Sequence, residues 1–433
     1  MRKLTIFFFL LQTSASGVTW SLQQCIAYAI EHNIQVKRAV INVESSKTSF
    51  NQARGNWLPD VSGSLSDGFS FGRAQTNEGI YFEQNVTNSA NVGVNLEMSL
   101  FDGRISSDIK AKKYSVMAAS EDQQKVKNSI ILNVASLYLN ILIQKELQVV
   151  AREQIVLSDS LEKNIERLVN CGREPQSKLY EILAQKANEN YNLTSAEKNL
   201  RIAFLDLMQM LEVDDPTFDI EEPFFDIDIM TIPLVVFEQI LAVLPDVKAE
   251  KYRLNSLQKS LNMVKASYYP SLFLSASTST GYYHYYQNRE LNVPFLSQLS
   301  NNWKSYVGLS MNIPIFNRLE AHYNVKLSKI QIRQQEMEVE NARKTLLKDV
   351  QRAQLNAEVS KQRYTAANLS VQMSEVLYRH VEERFRVGHA TSFDLQQAKN
   401  NLEKSLSERI QAKYEFIFNV KILDFYNGKE IKF

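Results

Sequence analysis

Few side chains in this sequence could do chemistry, and their spacing supports little of it. The five histidines, His32, His284, His322, His380 and His389, have no carboxylate or cysteine partners at the offsets a metal site uses. His380 and His389 are expected to be solvent-exposed rather than ligating. No G-x-x-x-x-G-K-S/T loop occurs, so the chain cannot hydrolyse a nucleotide to drive work. No serine, cysteine or acid pair sits in a nucleophile motif. Cys25 and Cys171 cannot build a disulfide framework and are expected to be free thiols. Asn85-Val86-Thr87 and Asn192-Leu193-Thr194 fit a glycosylation sequon, a pattern common by chance. A non-enzyme without cofactor or metal is expected.

Composition narrows the partners. Forty-nine basic residues balance forty-eight acidic ones, and no basic run carries interleaved aromatics, so nucleic acid is excluded. Thirteen glycines in 433 residues suit a chain that is mostly helix. Beyond the N-terminus no uninterrupted apolar run approaches twenty residues, so no transmembrane helix is expected.

The elements follow from periodicity. Val92, Val94, Leu96, Met98 and Leu100 alternate with Gly93, Asn95, Glu97 and Ser99, a strand with one apolar and one polar face. It stops at Phe101-Asp102-Gly103-Arg104, and a run of almost seventy residues without proline or glycine follows. The plan recurs: Val307, Leu309, Met311, Ile313 and Ile315 alternate with polar or small residues, stop at Phe316-Asn317-Arg318, and lead into a second long helical run. Pro59 matches Pro270 at an offset of 211, Phe101 matches Phe316 at 215, and Gly172 matches Gly388 at 216. The chain is two copies of one unit.

Each copy opens with helices that end before a proline, at Leu58-Pro59 and Tyr269-Pro270, where helical geometry is disfavoured. Strands follow at about 61–73 and 91–100 in the first copy, and at about 271–283 and 305–315 in the second, with polar loops at about 74–90 and 287–302. Val61, Leu65, Phe69 and Phe71 oppose Ser62, Ser64, Ser66 and Ser70, with Asp67 the one charge on the apolar side. Helical hairpins then span about 104–211 and 319–426, turning at 170–175 and 387–391. From Arg104 to Asn170 the run is roughly 100 Å long at ~1.5 Å per residue. Its apolar positions Val126, Ile130, Val134, Leu137 and Ile141 recur at threes and fours, as in helices packed side by side.

The strands suit a membrane. Ten to thirteen residues cross a bilayer when tilted, a serine-rich face suits a watery lumen, and Phe69, Phe71, Tyr81, Phe82, Tyr282, Tyr283, Tyr285, Tyr286, Trp303 and Tyr306 gather toward the loop ends as an interfacial girdle would. Val92, Val94, Leu96, Met98, Leu100, Val307, Leu309, Met311 and Ile313 are the expected lipid-facing set. Four strands cannot close a barrel, and an open edge in lipid leaves backbone groups unpaired at several kcal/mol each. Copies must therefore share one barrel of eight, twelve or sixteen strands. The competing reading is a soluble sheet with one face packed on helices.

Residues 1–17 read as a secretory signal peptide, with Met1-Arg2-Lys3 before an apolar core and Ser14-Ala15-Ser16-Gly17 at the cleavage zone. No lipid anchor is expected. The first repeat is 18–212, the second 246–433. Between them, 213–245 is an acidic connector and the start of the second repeat, interrupted by Pro216, Pro223, Pro233 and Pro245 and expected to be solvated, with a short helix running to about Leu244.

Taken together, the two copies, the paired prolines, Phe101-Asp102-Gly103-Arg104, Phe316-Asn317-Arg318 and Arg384-x-x-Val387-Gly388 at a hairpin turn resemble the TolC family of outer membrane efflux proteins across essentially the whole mature chain. The resemblance implies a mainly α fold with membrane β: a homotrimer whose twelve strands form one barrel in outer membrane lipid, continued by a periplasmic α-helical tunnel. It implies residence in the outer membrane of a Gram-negative bacterium. The implied function is a passive gated duct for efflux or type I secretion, served by a periplasmic adaptor (membrane fusion) protein and an inner-membrane transporter that selects the cargo. Arg384, Val387, Gly388, Arg167 and Gly172 become candidate adaptor contacts. Asp394, six residues after Gly388, becomes a candidate tunnel constriction, with Gln397 where some members carry a second Asp and Lys178 as its counterpart in the first copy. For Asp394 a helix N-terminal charge stabilised by the dipole is an equal reading. The alternative function is a periplasmic or surface coiled-coil scaffold without a pore.

Overall fold

In the computed structural model the described residues are 19–75, 81–225, 230–234, 237, 240, 244–287, 289–429 and 431, with the backbone alone described for 73–75, 81–85 and 291. The expected signal peptide lies outside them, as do most of the short helix expected before Leu244 and the side chains of Tyr81 and Phe82.

The chain divides into two compact units. The first comprises residues up to Ile41, Glu121–Val247 and Ala342–Phe433; the second comprises Asn42–Ser120 and Lys248–Asn341.

The first unit is helical. It begins with β1 (Thr19–Trp20) and α1 (Leu22–His32). Ser21 and Gln24 close a capping box at the start of α1. α2 (Ile34–Gly55) then runs into the second unit. Two helical hairpins supply most of the rest: α3 (Gly103–Asn170) returning as α4 (Gln176–Leu211), and a later pair described below. The core gathers Cys25 and Ala29 of α1, Ile130, Val134, Tyr138 and Ile141 of α3, and Leu207 and Leu211 of α4. These α3 positions belong to the expected stripe and its neighbours. α3 contains an 18-residue window with the mean hydropathy of a membrane span, of which 39% is buried within the chain, a mark that the apolar core stripe of a long helix also carries. Interspersed polar residues such as Asn133 and Asn140 hide it from a search for unbroken runs.

The connector departs from a purely solvated segment. Its Asp219–Ile220 forms β4, parallel to β1, and Phe218 and Ile220 enter the core. Its acids are used locally: Lys145 of α3 lies 2.9 Å from Asp219 and 3.0 Å from Glu222.

The second unit carries a four-stranded antiparallel sheet in the order β2-β3-β5-β6, with β2 at Asp60–Gln75, β3 at Tyr81–Phe101, β5 at Ser271–Tyr285 and β6 at Lys304–Asn312. α5 (Pro245–Lys265) precedes β5, and a one-turn 3-10 helix at Ala266–Tyr268 joins them. The β3–β5 ladder joins the two copies.

β3 starts at Tyr81, eleven residues before the apolar alternation does at Val92. Backbone pairing with β2 continues from Ala90 back to Tyr81, since ladder bonds need no apolar side chains. β6 stops at Asn312, two residues before Pro314, which has no N–H to give a ladder. The loop expected at 287–302 contains a further helix, α6 (Phe295–Asn301), with Pro294 at its N-cap position. α7 (Glu320–Arg386) and α8 (Ser392–Tyr426) complete the second long hairpin.

Candidate functional site

Register sorts the sheet into two faces. Opposite Val61 and Leu65 of β2 lie Leu96 and Val92 of β3. Leu96 and Met98 face Ala276 and Leu274 of β5, and those face Val307 and Leu309 of β6, with Leu272 opposite Met311. The other face carries Ser62, Ser64, Asn91, Asn95, Ser275, Ser277, Ser279, Tyr306 and Ser310. Val92, Val94, Leu96, Met98, Val307, Leu309 and Met311 thus share one face. Leu100 does not join them: the β3–β5 ladder shifts between Ser99 and Phe101, so Phe101 takes the place opposite Leu272. A bulge of this kind inserts one residue and reverses the alternation beyond it. Ile313 falls past the end of β6.

The apolar face is exposed, with Leu65 at 81% and Val307 at 74%. Nine residues of β3 span this band; at ~3.4 Å per residue and a tilt of roughly 40° that is about 23 Å, the height of an outer-membrane apolar band. Above it the same face turns polar and aromatic. Asn88 donates to Asp67 at 2.7 Å, Tyr282 and His284 are hydrogen-bonded at 3.2 Å, and Phe69 meets Tyr286 with ring centroids 6.3 Å apart.

In the first unit, the two hairpin turns share one backbone solution. Gly172 has φ +70° and Gly388 φ +79°, left-handed conformations that a side chain would strain. Arg173 N–H donates to Leu168 O at 2.9 Å, and His389 N–H donates to Arg384 O at 2.8 Å. The offset of 216 makes Leu168, not Arg167, the counterpart of Arg384. Arg384 caps its own turn, donating to His389 O at 2.9 Å. Arg167 lies along its own helix and donates to Asn164 at 2.6 Å. Val387 is 65% exposed.

Asp394 closes a capping box with Thr391, whose N–H and hydroxyl donate to the carboxylate at 2.9 and 2.7 Å. These bonds, led by the Thr391 N–H, and the Arg384 charge hold the carboxyl below its usual range. The dipole-and-cap reading of Asp394 therefore has its full geometry, and the carboxylate is exposed as well. Gln397 lies one turn on, exposed on the same helix. Lys178, the first-copy counterpart, donates to Ser392 at 2.8 Å and to Glu181 at 3.0 Å, joining the two return helices beside the turns. A cavity of about 900 Å³ opens beside the turns, lined among others by Arg167, Cys171, Arg173, Tyr378 and Arg386.

Sequence reasoning missed one cluster. Lys399 of α8 and Glu189 of α4 are 3% and 2% exposed and 2.7 Å apart. The ammonium also donates to Gln154 O at 3.0 Å and Ser158 Oγ at 2.7 Å on α3, so all three of its protons are used. The signal was present: Lys399 follows Leu395 and Ala398 in an apolar stripe, where a solvated lysine has no place.

The geometry agrees with known proteins. The sequence profile described as "Outer membrane efflux protein" matches residues 25–212 and 236–425. "Toxin and drug export protein A" of Aggregatibacter actinomycetemcomitans is 21% identical over 398 residues, covering 92% of this chain and 83% of that protein. "Cation efflux system protein CusC" of Escherichia coli O157:H7 is 20% identical over 377 residues, covering 82% and 76%. Among solved structures, the Campylobacter jejuni CmeC outer membrane channel superposes with a TM-score of 0.82 at 19% identity, covering 94% of this chain and 86% of that one. Vibrio cholerae VceC gives 0.78 at 16% identity, covering 95% and 97%.

Proposed function

This chain belongs to the outer membrane efflux protein family, and on that premise we propose that it acts as the homotrimeric exit duct of a tripartite system, docked through its hairpin turns to a periplasmic adaptor and fed by an inner-membrane transporter. It is an efflux channel of the Gram-negative outer membrane and not an enzyme.

The observation that carries the proposal is the open sheet. Four strands with an apolar face, a serine-lined face and outer edges on β2 and β6 that no further strand pairs among the described residues cannot stand alone in lipid. Pairing β6 of one copy with β2 of the next satisfies both edges over the length of β6, and three copies supply twelve strands. The serine faces then line the pore. Transport is passive in this reading, with the work done by the inner-membrane transporter, since the sequence carries no nucleotide-binding loop.

The exposed Val387 and the cavity beside the turns are the features an adaptor would meet. Arg384 and the two glycines act there by shaping the turns. Asp394 and Gln397 form the constriction in this reading, three carboxylates per trimer attracting cations.

Single-channel recording of the purified trimer in planar bilayers is the test. Ion conductance is expected, with cation preference reduced in Asp394→Asn. Unchanged selectivity would remove Asp394 from the pore, and a trimer that never conducts would favour the scaffold.

A further inference from the structure

The strands at the two edges of the sheet differ in length. β2 has sixteen residues and β6 has nine. In the shared barrel proposed above, β6 of one copy pairs with β2 of the next, and the rim that carries the helices is where β2 begins and β6 ends. β6 can pair with at most nine residues of that β2. The backbone edge of residues 69–75, at the far rim, is left without a strand partner. An exposed edge of this kind is a docking template unless something covers it.

The element in the place of the missing strand is the segment 289–303. Above the last β5–β6 pair, Ser279 with Lys304, the outward backbone groups of β5 are satisfied by side chains of this segment. Asn302 donates to Gly281 O at 2.6 Å. Gln298 accepts from Tyr283 N–H and donates to Tyr283 O, both at 2.9 Å. Asn292 does the same at Tyr285, at 2.7 and 2.8 Å. Three amides thus stand in for a strand at alternate residues, and they fix the segment along the line of β6. Its apolar side chains are left over: Leu296 is 77% and Trp303 62% exposed. Phe295 packs on Tyr282 with ring centroids 5.1 Å apart, which puts α6 toward the apolar face of the sheet. Phe71 shares that face on β2 and is 78% exposed.

We propose that segment 289–303 of one copy covers the upper β2 edge of the neighbouring copy, with Leu296 and Trp303 packed against the neighbour's Phe69 and Phe71, extending the barrel seam above β6. The occupant is a second copy of this chain because the segment continues the line of the strand that makes the seam. This rests on the shared-barrel reading.

The test uses two differently tagged full-length chains, co-expressed in a Cys171→Ser background so that only Cys25, which is buried, remains. One carries Phe71→Cys and the other Leu296→Cys, and a short bismaleimide is added to intact cells. A covalent dimer carrying both tags is expected. A control places Val61→Cys on one chain and Met311→Cys on the other, at the lower seam. Cross-linking of the control alone would overturn the proposal and leave the shared barrel standing. Cross-linking of neither would overturn both.

Discussion

Glu403 lies one turn beyond Lys399 on α8, partly buried and close to Glu189. Burial raises its carboxyl above the ordinary glutamate range, the Glu189 charge adds to the rise, and the Lys399 charge opposes it. A carboxyl that binds its proton more tightly in the folded state favours folding at low pH. That contribution is complete below the unfolded value, about 4.3, and is lost as pH rises through the folded one. Glu403→Gln is therefore expected to raise the melting temperature of the detergent-purified protein at pH 7 and leave it unchanged at pH 4. Thermal melts at both pH values check this, and an equal effect at the two would mean that proton binding at Glu403 is not responsible. Asp394 has the opposite sign: its lowered carboxyl favours the folded turn above the ordinary aspartate range and ceases to do so as pH falls through the folded value.

At the scale of elements, α3, α4 and α8 are long helices whose apolar stripes fix which sides meet but allow sliding along the axis. The Lys399 ammonium, held by one group on α4 and two on α3, removes that freedom. Such a pair is weak evidence for stability in itself, but breaking it leaves a charge in the dry interior at a cost of ~3–5 kcal/mol. One oxygen of Glu189 already lacks a hydrogen bond, and without Lys399 the other keeps only the neutral Gln185 amide, which donates to it at 3.1 Å. Lys399→Met is expected to destabilise the protein by about that amount, and Lys399→Met with Glu189→Leu to recover most of the loss. Thermal unfolding of both variants is the measurement. A single variant as stable as the parent would show that the pair carries no register.

For the whole molecule the decisive quantity is which face of the sheet meets lipid. Leu309 and Ser310 are neighbours on β6 with side chains on opposite faces. An arginine on the lipid face near the bilayer midplane costs ~2–4 kcal/mol, whereas a lumen position tolerates it. Leu309→Arg is expected to lower the yield of folded trimer in outer membrane fractions, and Ser310→Arg to leave yield intact and change conductance. Native gels of extracted membranes compare the two. The reverse pattern would place the serine face against lipid.

Period-two alternation set the sheet faces, periods of three and four set the helices, and glycine and proline placed both turns, because these depend on which neighbours along the chain share a face. The same local logic identified the repeat and, through it, the family. Elsewhere the outcome hung on contacts between residues distant in sequence. Whether Lys399 is solvated depends on Glu189 lying across from it. Phe218 and Ile220 enter the core because β1 offers β4 a partner. β3 outran its apolar pattern because β2 continued beside it. The amides of Asn292, Gln298 and Asn302 replace a strand only because the loop folds back along β5. Periodicity records which face of an element must be covered, and tertiary structure decides what covers it.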